Sequence, residues 1–231
     1  MELYAIGDFH LSFNSEKPME VFGEKWDDYE EKIKKGFEKI NKEDVCVICG
    51  DISWGMNLED CREDFAFIDS LPGKKIILKG NHDYWWTTQN KIRSFLHDNH
   101  FNSIEILNNN CFIYDDYAVC GTRGWIFEEN AAISEHDNKI LKREVLRLKA
   151  SLESAGDFRK IVFLHYPPVF FGSRCEEIIG LLQDYNVRQC FYGHVHGKAC
   201  EYAFNGWLNG TEYRLVSADY INFEPVRINL Y

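Results

Sequence analysis

Five short apolar runs in this 231-residue chain stop at the same punctuation, a glycine or histidine accompanied by side chains that bind metals. Leu3-Tyr4-Ala5-Ile6 leads into Gly7-Asp8-Phe9-His10, and the run from Val45 to Cys49 leads into Gly50-Asp51. Ile76-Ile77-Leu78 leads into Gly80-Asn81-His82-Asp83, the run from Ile161 to Leu164 into His165, and Cys190-Phe191-Tyr192 into Gly193-His194-Val195-His196. Apolar runs of this length, bounded by turn residues, read as strands. Five of the eight histidines sit at these ends. One histidine at a strand end is usually structural, but five with neighbouring carboxylates are costly to bury without cations.

The segments between the runs read mostly as helices. Tyr29, Ile33, Phe37 and Ile40 recur at helical spacing and predict an amphipathic helix over 26–41 with a solvated Glu/Lys face. Asn57 is placed to cap a helix carrying Cys61, Phe65 and Ile68 and stopped by Pro72-Gly73, and Thr87-Thr88 open another over 87–100. Three short strand-like runs follow at 103–109, 111–116 and 117–122. A charged stretch at about 131–155 carries helical periodicity through Ile133, Ile140, Leu141, Val145 and Leu148, and 175–185 reads as a helix. From Lys198 the chain reads as a β meander with hairpin turns at Asn205-Gly206 and Asn209-Gly210. With no repeat, low-complexity tract or linker, one domain over 1–231, of mixed strands with flanking helices, is expected.

Composition narrows the partners. At 45% hydrophobic and 27% charged the chain is ordinarily globular. Its net charge of −11 disfavours long nucleic acid or an anionic membrane. No apolar run can span a bilayer, and the N-terminus lacks the basic and apolar regions of a signal peptide, so a cytoplasmic location is expected. The eight cysteines are then expected to be reduced. Cys46 and Cys49 form a C-x-x-C, but three residues apart on a strand they face opposite sides, as buried thiols do.

Residues i and i+2 on extended backbone point the same way, so Asp8 with His10, and His194 with His196, are each expected to reach one ion together. Ligand sites in α/β sheets lie beyond the carboxyl ends of strands, so these separate tips can converge on one crevice. Mixed Asp, His and Asn donors suit Mn²⁺, Fe or Zn²⁺ better than Ca²⁺ or a thiolate-bound zinc. There are too many for one tetrahedral ion, and two ions bridged by a carboxylate, about 3.5–4 Å apart, use them well.

In this order, D-x-H, GD, GNHD, H and GHxH resemble the calcineurin-like metallophosphoesterase superfamily, with its phosphohydrolases of bacterial and archaeal type. Here they stand as "GDFH", "CGDISW", "KGNHDYW", "LHYPP" and "YGHVHG". The resemblance implies an α/β fold in which a two-sheet β-sandwich is flanked by helices on both sides. It implies that Asp8, His10 and His196 hold one divalent ion, that Asn81, His165 and His194 hold a second, and that Asp51 bridges them. It further implies hydrolysis of a small phosphomonoester or phosphodiester through a metal-bridging hydroxide, with Asn81 and His82 contacting the phosphate. His82 would then protonate the leaving group while Asp83 orients its neighbours.

Protein serine/threonine phosphatases of this superfamily carry Asp-Arg-Gly where this chain has Trp54, Gly55 and Met56, which counts against that activity. Phosphate then needs another contact, and Arg123 in "CGTRGW" and Arg174 in "FGSR" are the candidates. Trp54, Tyr84, Trp85, Trp86 and Trp125 flank the motifs and are expected to pack rather than to stack on substrate. His97, His100 and His136 are expected at the surface. A scaffold that has lost catalysis and a nuclease are the other readings. The first is disfavoured because His82 and every ligand type are present, the second by the charge.

Overall fold

The structure is a computed structural model and describes residues 1–15, 17, 19–125 and 135–230. Its first half alternates strand and helix: β1 (Leu3–Ile6), α1 (Tyr29–Phe37), β2 (Val45–Ile48), α2 (Arg62–Ser70), β3 (Lys74–Ile77), α3 (Gln89–Asp98) and β4 (Ile104–Ile106). The second half runs β5 (Phe112–Tyr114), β6 (Tyr117–Thr122), α4 (Glu135–Ser154), β7 (Arg159–Leu164), β8 (Val169–Phe170), β9 (Ser173–Arg174), α5 (Glu176–Asp184) and β10 (Gln189–Tyr192). It closes with β11 (Gly206–Leu208), β12 (Thr211–Leu215) and β13 (Val226–Arg227). One sheet has the order β13-β1-β2-β3-β4, the other β11-β12-β10-β7-β6-β5, and β8-β9 form a separate small hairpin. Within each large sheet the central strands are parallel.

Period-2 alternation sorts the side chains into layers. Leu3, Ala5, Val45, Val47 and Cys49 of the first sheet meet Val119, Ile161, Phe163 and Phe191 of the second in a core between the sheets. Their alternates Tyr4, Ile6, Cys46 and Ile48 pack outward against Tyr29, Ile33 and Phe37 of α1, Phe65 and Ile68 of α2, and Ile92 and Phe95 of α3. Ala118, Cys120, Val162, Leu164 and Cys190 of the second sheet pack outward against Leu141, Leu148 and Leu152 of α4 and Ile178 and Leu182 of α5. The result is the helix–sheet–sheet–helix sandwich that the resemblance implies. Cys46 and Cys49 fall in different layers, and all eight cysteines are unpaired. No helix among the described residues is long and apolar enough to cross a membrane.

Several boundaries differ from the sequence reading for local reasons. α1 starts at Tyr29 because Trp26 closes a 3-10 turn and Asp28, with φ of 49°, interrupts the helical backbone. α2 starts at Arg62, since Asn57 caps only a turn, its Oδ1 accepting the Asp60 N–H at 3.1 Å. Residues 131–134 of the expected fourth helix lie outside the described residues. The terminal meander is only partly present. Asn209-Gly210, both left-handed, turn the β11–β12 hairpin, but Gly206 opens β11 while the Asn205 Oδ1 accepts the Leu215 N–H. β12 then runs parallel to β10, and the chain crosses to the first sheet, where β13 covers the edge of β1.

Phe163 is fully buried between the sheets and stacks on Phe191 with ring centroids 5.5 Å apart. Phe163→Ala is expected to cost about 3–5 kcal/mol through lost burial and a residual cavity, read as a shift in the urea midpoint at unchanged m-value.

Candidate metal centre

The two sheets are stitched together where the motifs lie. The Gly7 N–H donates to the Val216 carbonyl at 2.7 Å, and the Ala218 N–H donates to the Gly7 carbonyl at 3.0 Å, so the tip of β1 joins the end of β12. The tips of β2, β3, β7 and β10 open on the same crevice. Close backbone approach makes this possible. A Cβ on Gly193 would lie 2.4 Å from the Asp8 Oδ2, and one on Gly80 would lie 2.2 Å from the Asp51 backbone nitrogen. Both strands must therefore end in glycine for the carboxylates to fit.

Four of the motif residues occupy left-handed backbone: Asp8 (φ 62°), His10 (φ 49°), Asp51 (φ 50°) and His194 (φ 74°). Each such conformation costs roughly 1–3 kcal/mol and persists only where its surroundings impose it. This overturns the extended-backbone argument. Asp8 and His10 do face one position, but through two reversals of the chain rather than through strand alternation. His194 and His196 do not share a position at all, because the turn at His194 sends the two rings to different clusters.

Those clusters are Asp8, His10 and His196, and Asp51, His165 and His194, each with ligand atoms within 4.8 Å of one another. In the first, His10 Nε2 and His196 Nε2 are 3.3 Å apart, and His196 Nε2 is 3.5 Å from Asp8 Oδ1. In the second, Asn81 Oδ1 lies 2.6 Å from His165 Nε2 and 2.9 Å from His194 Nδ1. Asp51 Oδ2 stands between them, 3.6 Å from His10 Nε2 and 3.5 Å from His165 Nε2. The other Asp51 oxygen accepts the His82 N–H at 2.8 Å, and both Asp8 oxygens accept the His194 N–H at 2.9 and 3.0 Å.

This donor set fits divalent cations. His165 Nδ1 contacts the Cys49 carbonyl at 3.0 Å, a bond that places the proton on Nδ1 and leaves Nε2 a lone pair. With the Asn81 amide oriented as it is, that lone pair meets an acceptor oxygen, a contact that repels unless a cation lies between the two. Burial pushes His165 and His194 down to about 3 and holds His10 well below the usual histidine range, so all three stay neutral, as ligands must be. Burial also disfavours a charged His196, but Asp8 and Asp219 on its two sides outweigh it and raise the ring to about 10. A dication at that position competes for the same nitrogen. Burial, then the Asp83 and Asp8 charges, push Asp51 well above the usual carboxylate range, a penalty that a cation relieves.

The remaining residues surround this cluster. His82 is half-buried at its rim, with the Trp54 ring 4.5 Å away and the Tyr84 hydroxyl 3.4 Å from its Nδ1. Trp54 also stacks on His10 at 5.0 Å and carries the Lys17 ammonium 4.1 Å above its ring. Asp83 is fully buried, and its carboxylate is taken up by donors of the surrounding loops. Its Oδ1 accepts the Ile52 and Ser53 N–H groups and the Trp85 indole, and its Oδ2 accepts the Gly80 N–H, so it ties the β2 and β3 tips together. The Arg123 guanidinium sits in an adjoining cleft, 3.5 Å from the Glu144 carboxylate and over Trp125, while Arg174 is exposed on β9. Trp85 is core and Trp86 packs against it. His97, His100 and His136 are exposed. Asp219, absent from the sequence reading, accepts from His196 Nδ1 at 2.9 Å and from the Gly197 N–H at 2.8 Å. Its motif, "SADY", carries no spacing signal that marks it.

Comparison with known proteins agrees with this architecture. No curated protein matches the chain. Among solved structures, the phosphopantetheinyl hydrolase of Mycobacterium tuberculosis superposes with a TM-score of 0.60 at 12% identity, over 98% of this chain and 95% of that one. A protein of unknown function from Aquifex aeolicus superposes with a TM-score of 0.52 at 16% identity, over 98% and 95% of the two chains. A protein from Thermus thermophilus gives 0.54 at 14% identity, over 98% and 97%. At these identities the likeness is one of fold. The sequence profile of the calcineurin-like phosphoesterases matches residues 1–198, a stretch that holds every residue of both donor clusters, and the chain belongs to that family of metal-dependent phosphoester hydrolases.

Proposed function

We propose that the chain is a single-domain, cytoplasmic hydrolase of small phosphoesters that works with two divalent ions, Mn²⁺, Fe²⁺/Fe³⁺ or Zn²⁺. The observation that carries this reading is the pair of donor clusters flanking one carboxylate oxygen, Asp51 Oδ2. Asp8, His10 and His196 would hold one ion, Asn81, His165 and His194 the other, and Asp51 both. Ions bound there supply charge that polarises the phosphoryl oxygens and acidifies water near neutral pH.

The protein's own groups do the rest. Asn81 orients its side-chain carbonyl into the second cluster. His82, anchored through its backbone N–H to Asp51 and walled by Trp54, gives a proton to the departing oxygen. Asp83 positions the loops that carry Asp51 and Asn81, and Asp219 fixes the His196 tautomer so that Nε2 faces Asp8. Lys17, beside Trp54, supplies positive charge near His82.

Elemental analysis joined to a phosphoester screen across Mn²⁺, Fe²⁺, Zn²⁺ and Co²⁺ tests the reading. The screen includes phosphopantetheinyl esters, because one structural neighbour is named for their hydrolysis. A folded, metal-loaded protein inert on the whole panel overturns it.

His82→Ala should lower kcat by about 10²–10⁴ at unchanged metal content. The loss should be larger on an alkyl phosphate than on 4-nitrophenyl phosphate, whose leaving group needs no proton. Equal losses on both would assign His82 to binding instead. Asp219→Asn should weaken metal affinity by roughly 10–100-fold, as read by chelator competition on protein that a thermal melt shows to be folded.

A further inference from the structure

A second polar cleft adjoins the metal centre. β4 is the neighbour of β3 in one sheet, and β6 is the neighbour of β7 in the other. Their carboxyl ends therefore lie next to the tips that carry Asn81 and His165. Between those ends is a cleft of about 250 Å³ lined by Lys79, Trp86, Thr122, Arg123, Glu144 and Arg147 among others. Lys79 precedes Asn81 by two residues, so their Cα atoms are at most about 7 Å apart. Tyr166 stands on the boundary, its ring 4.3 Å from His194 and 5.2 Å from Trp125, which in turn lies under Arg123.

Two arginines share one carboxylate in this cleft, and a lysine stands near them. Glu144, only 1% exposed, accepts from the Thr122 hydroxyl at 2.6 Å and from Arg147 at 2.6 Å, and it lies 3.5 Å from Arg123. The buried Arg123 Nε has no hydrogen-bond partner among the described residues. The half-buried Lys79 ammonium makes no hydrogen bond or ion pair among the described residues. Holding α4 against β6 would take one arginine on Glu144. A second arginine and a lysine repel each other there and leave a local excess of positive charge in a protein whose net charge is −11. A planar guanidinium with an unpaired N–H beside a free ammonium is the arrangement that recognises a phosphate group.

We propose that this cleft is an oxyanion subsite for a second phosphate carried on the leaving-group side of the substrate. The substrate class is then a small phosphoester with two separated phosphate groups. The inference rests on the hydrolase reading above, and it assigns Lys79, Arg123 and Arg147 to the distal phosphate rather than to the one being cleaved.

The test compares α,ω-alkanediol bisphosphates, from ethane to hexane, with the matching alkyl monophosphates, and uses 4-nitrophenyl phosphate as a common reference. Wild-type protein should prefer one bisphosphate length by ten-fold or more in kcat/KM, expressed mainly in KM. Lys79→Gln and Arg147→Gln, each normalised to its own rate on the matching monophosphate, should cut that preference at least five-fold, and Arg147→Lys should restore part of it. Thermal melts identify a variant that has failed to fold, and Lys79, which makes no hydrogen bond or ion pair among the described residues, provides the change least disturbing to the fold. Equal kcat/KM for bis- and monophosphates at every length, with 4-nitrophenyl phosphate still hydrolysed, overturns the subsite and leaves the hydrolase reading standing. A preference that survives in both variants places the second phosphate elsewhere and also overturns it. If no ester is cleaved, 4-nitrophenyl phosphate included, the hydrolase reading falls and this proposal falls with it. A third arm titrates inorganic phosphate into the chelator-treated protein by calorimetry. Binding weakened by Lys79→Gln, together with no bisphosphate preference, would mean a site for the free anion and would refute the substrate assignment.

Discussion

The structure is organised around a repulsion. At the junction of the two sheets, carboxylate oxygens, an amide carbonyl and imidazole lone pairs face one another at 2.6–3.6 Å with few donors among them. Nothing in the hydrophobic effect favours such a gathering, and burial makes it worse by removing water. It is held from outside. Layers of apolar side chains fix the strands, backbone amides of His82 and His194 grip the two carboxylates, and glycines let the tips close to within a side chain's width. Strained backbone at Asp8, His10, Asp51 and His194 is the visible sign of that force.

The outer grip is carried by residues outside the two donor clusters. Asp83 is fully buried with four donors on its two oxygens, and it clamps the loop after β2 to the loop after β3. Burial pushes it up to about 6 while its hydrogen bonds pull the other way, which keeps it an acceptor for those amides near neutral pH. Asp219 does similar work for His196. Glu144 does so for two arginines in the neighbouring cleft, where a buried carboxylate spends its charge on positioning cations.

Much of this was legible in the sequence, because the strand-terminal motifs are local. An apolar run ending in Gly-Asp or Gly-Asn-His-Asp announces both a strand and a tip that carries donor side chains, and the alternation of Cys46 and Cys49 correctly placed them in different layers. What failed were arguments that extended a local rule past its element. His194 and His196 obey strand periodicity only if the strand continues, and β10 stops at Tyr192. Asn205-Gly206 looks like a hairpin turn, but its glycine is the first residue of β11 and its asparagine side chain is already committed to Leu215. Asp219 and Glu144 were invisible for a different reason. They act through tertiary neighbours 23 and 22 residues away, respectively, and no spacing encodes that.

The first donor cluster joins Asp8 and His10, near the beginning of the chain, to His196, 186 residues later, and the Gly7–Ser217 bridge closes the same circle. A chain emerging from the ribosome therefore carries Asp8, His10, Asp51 and Asn81 long before His165, His194 and His196 exist. Early in synthesis those lone carboxylates and imidazoles are ordinary solvated side chains with little hold on any cation. The assembled donor clusters are thereby withheld from nascent and truncated polypeptides by the order of translation itself.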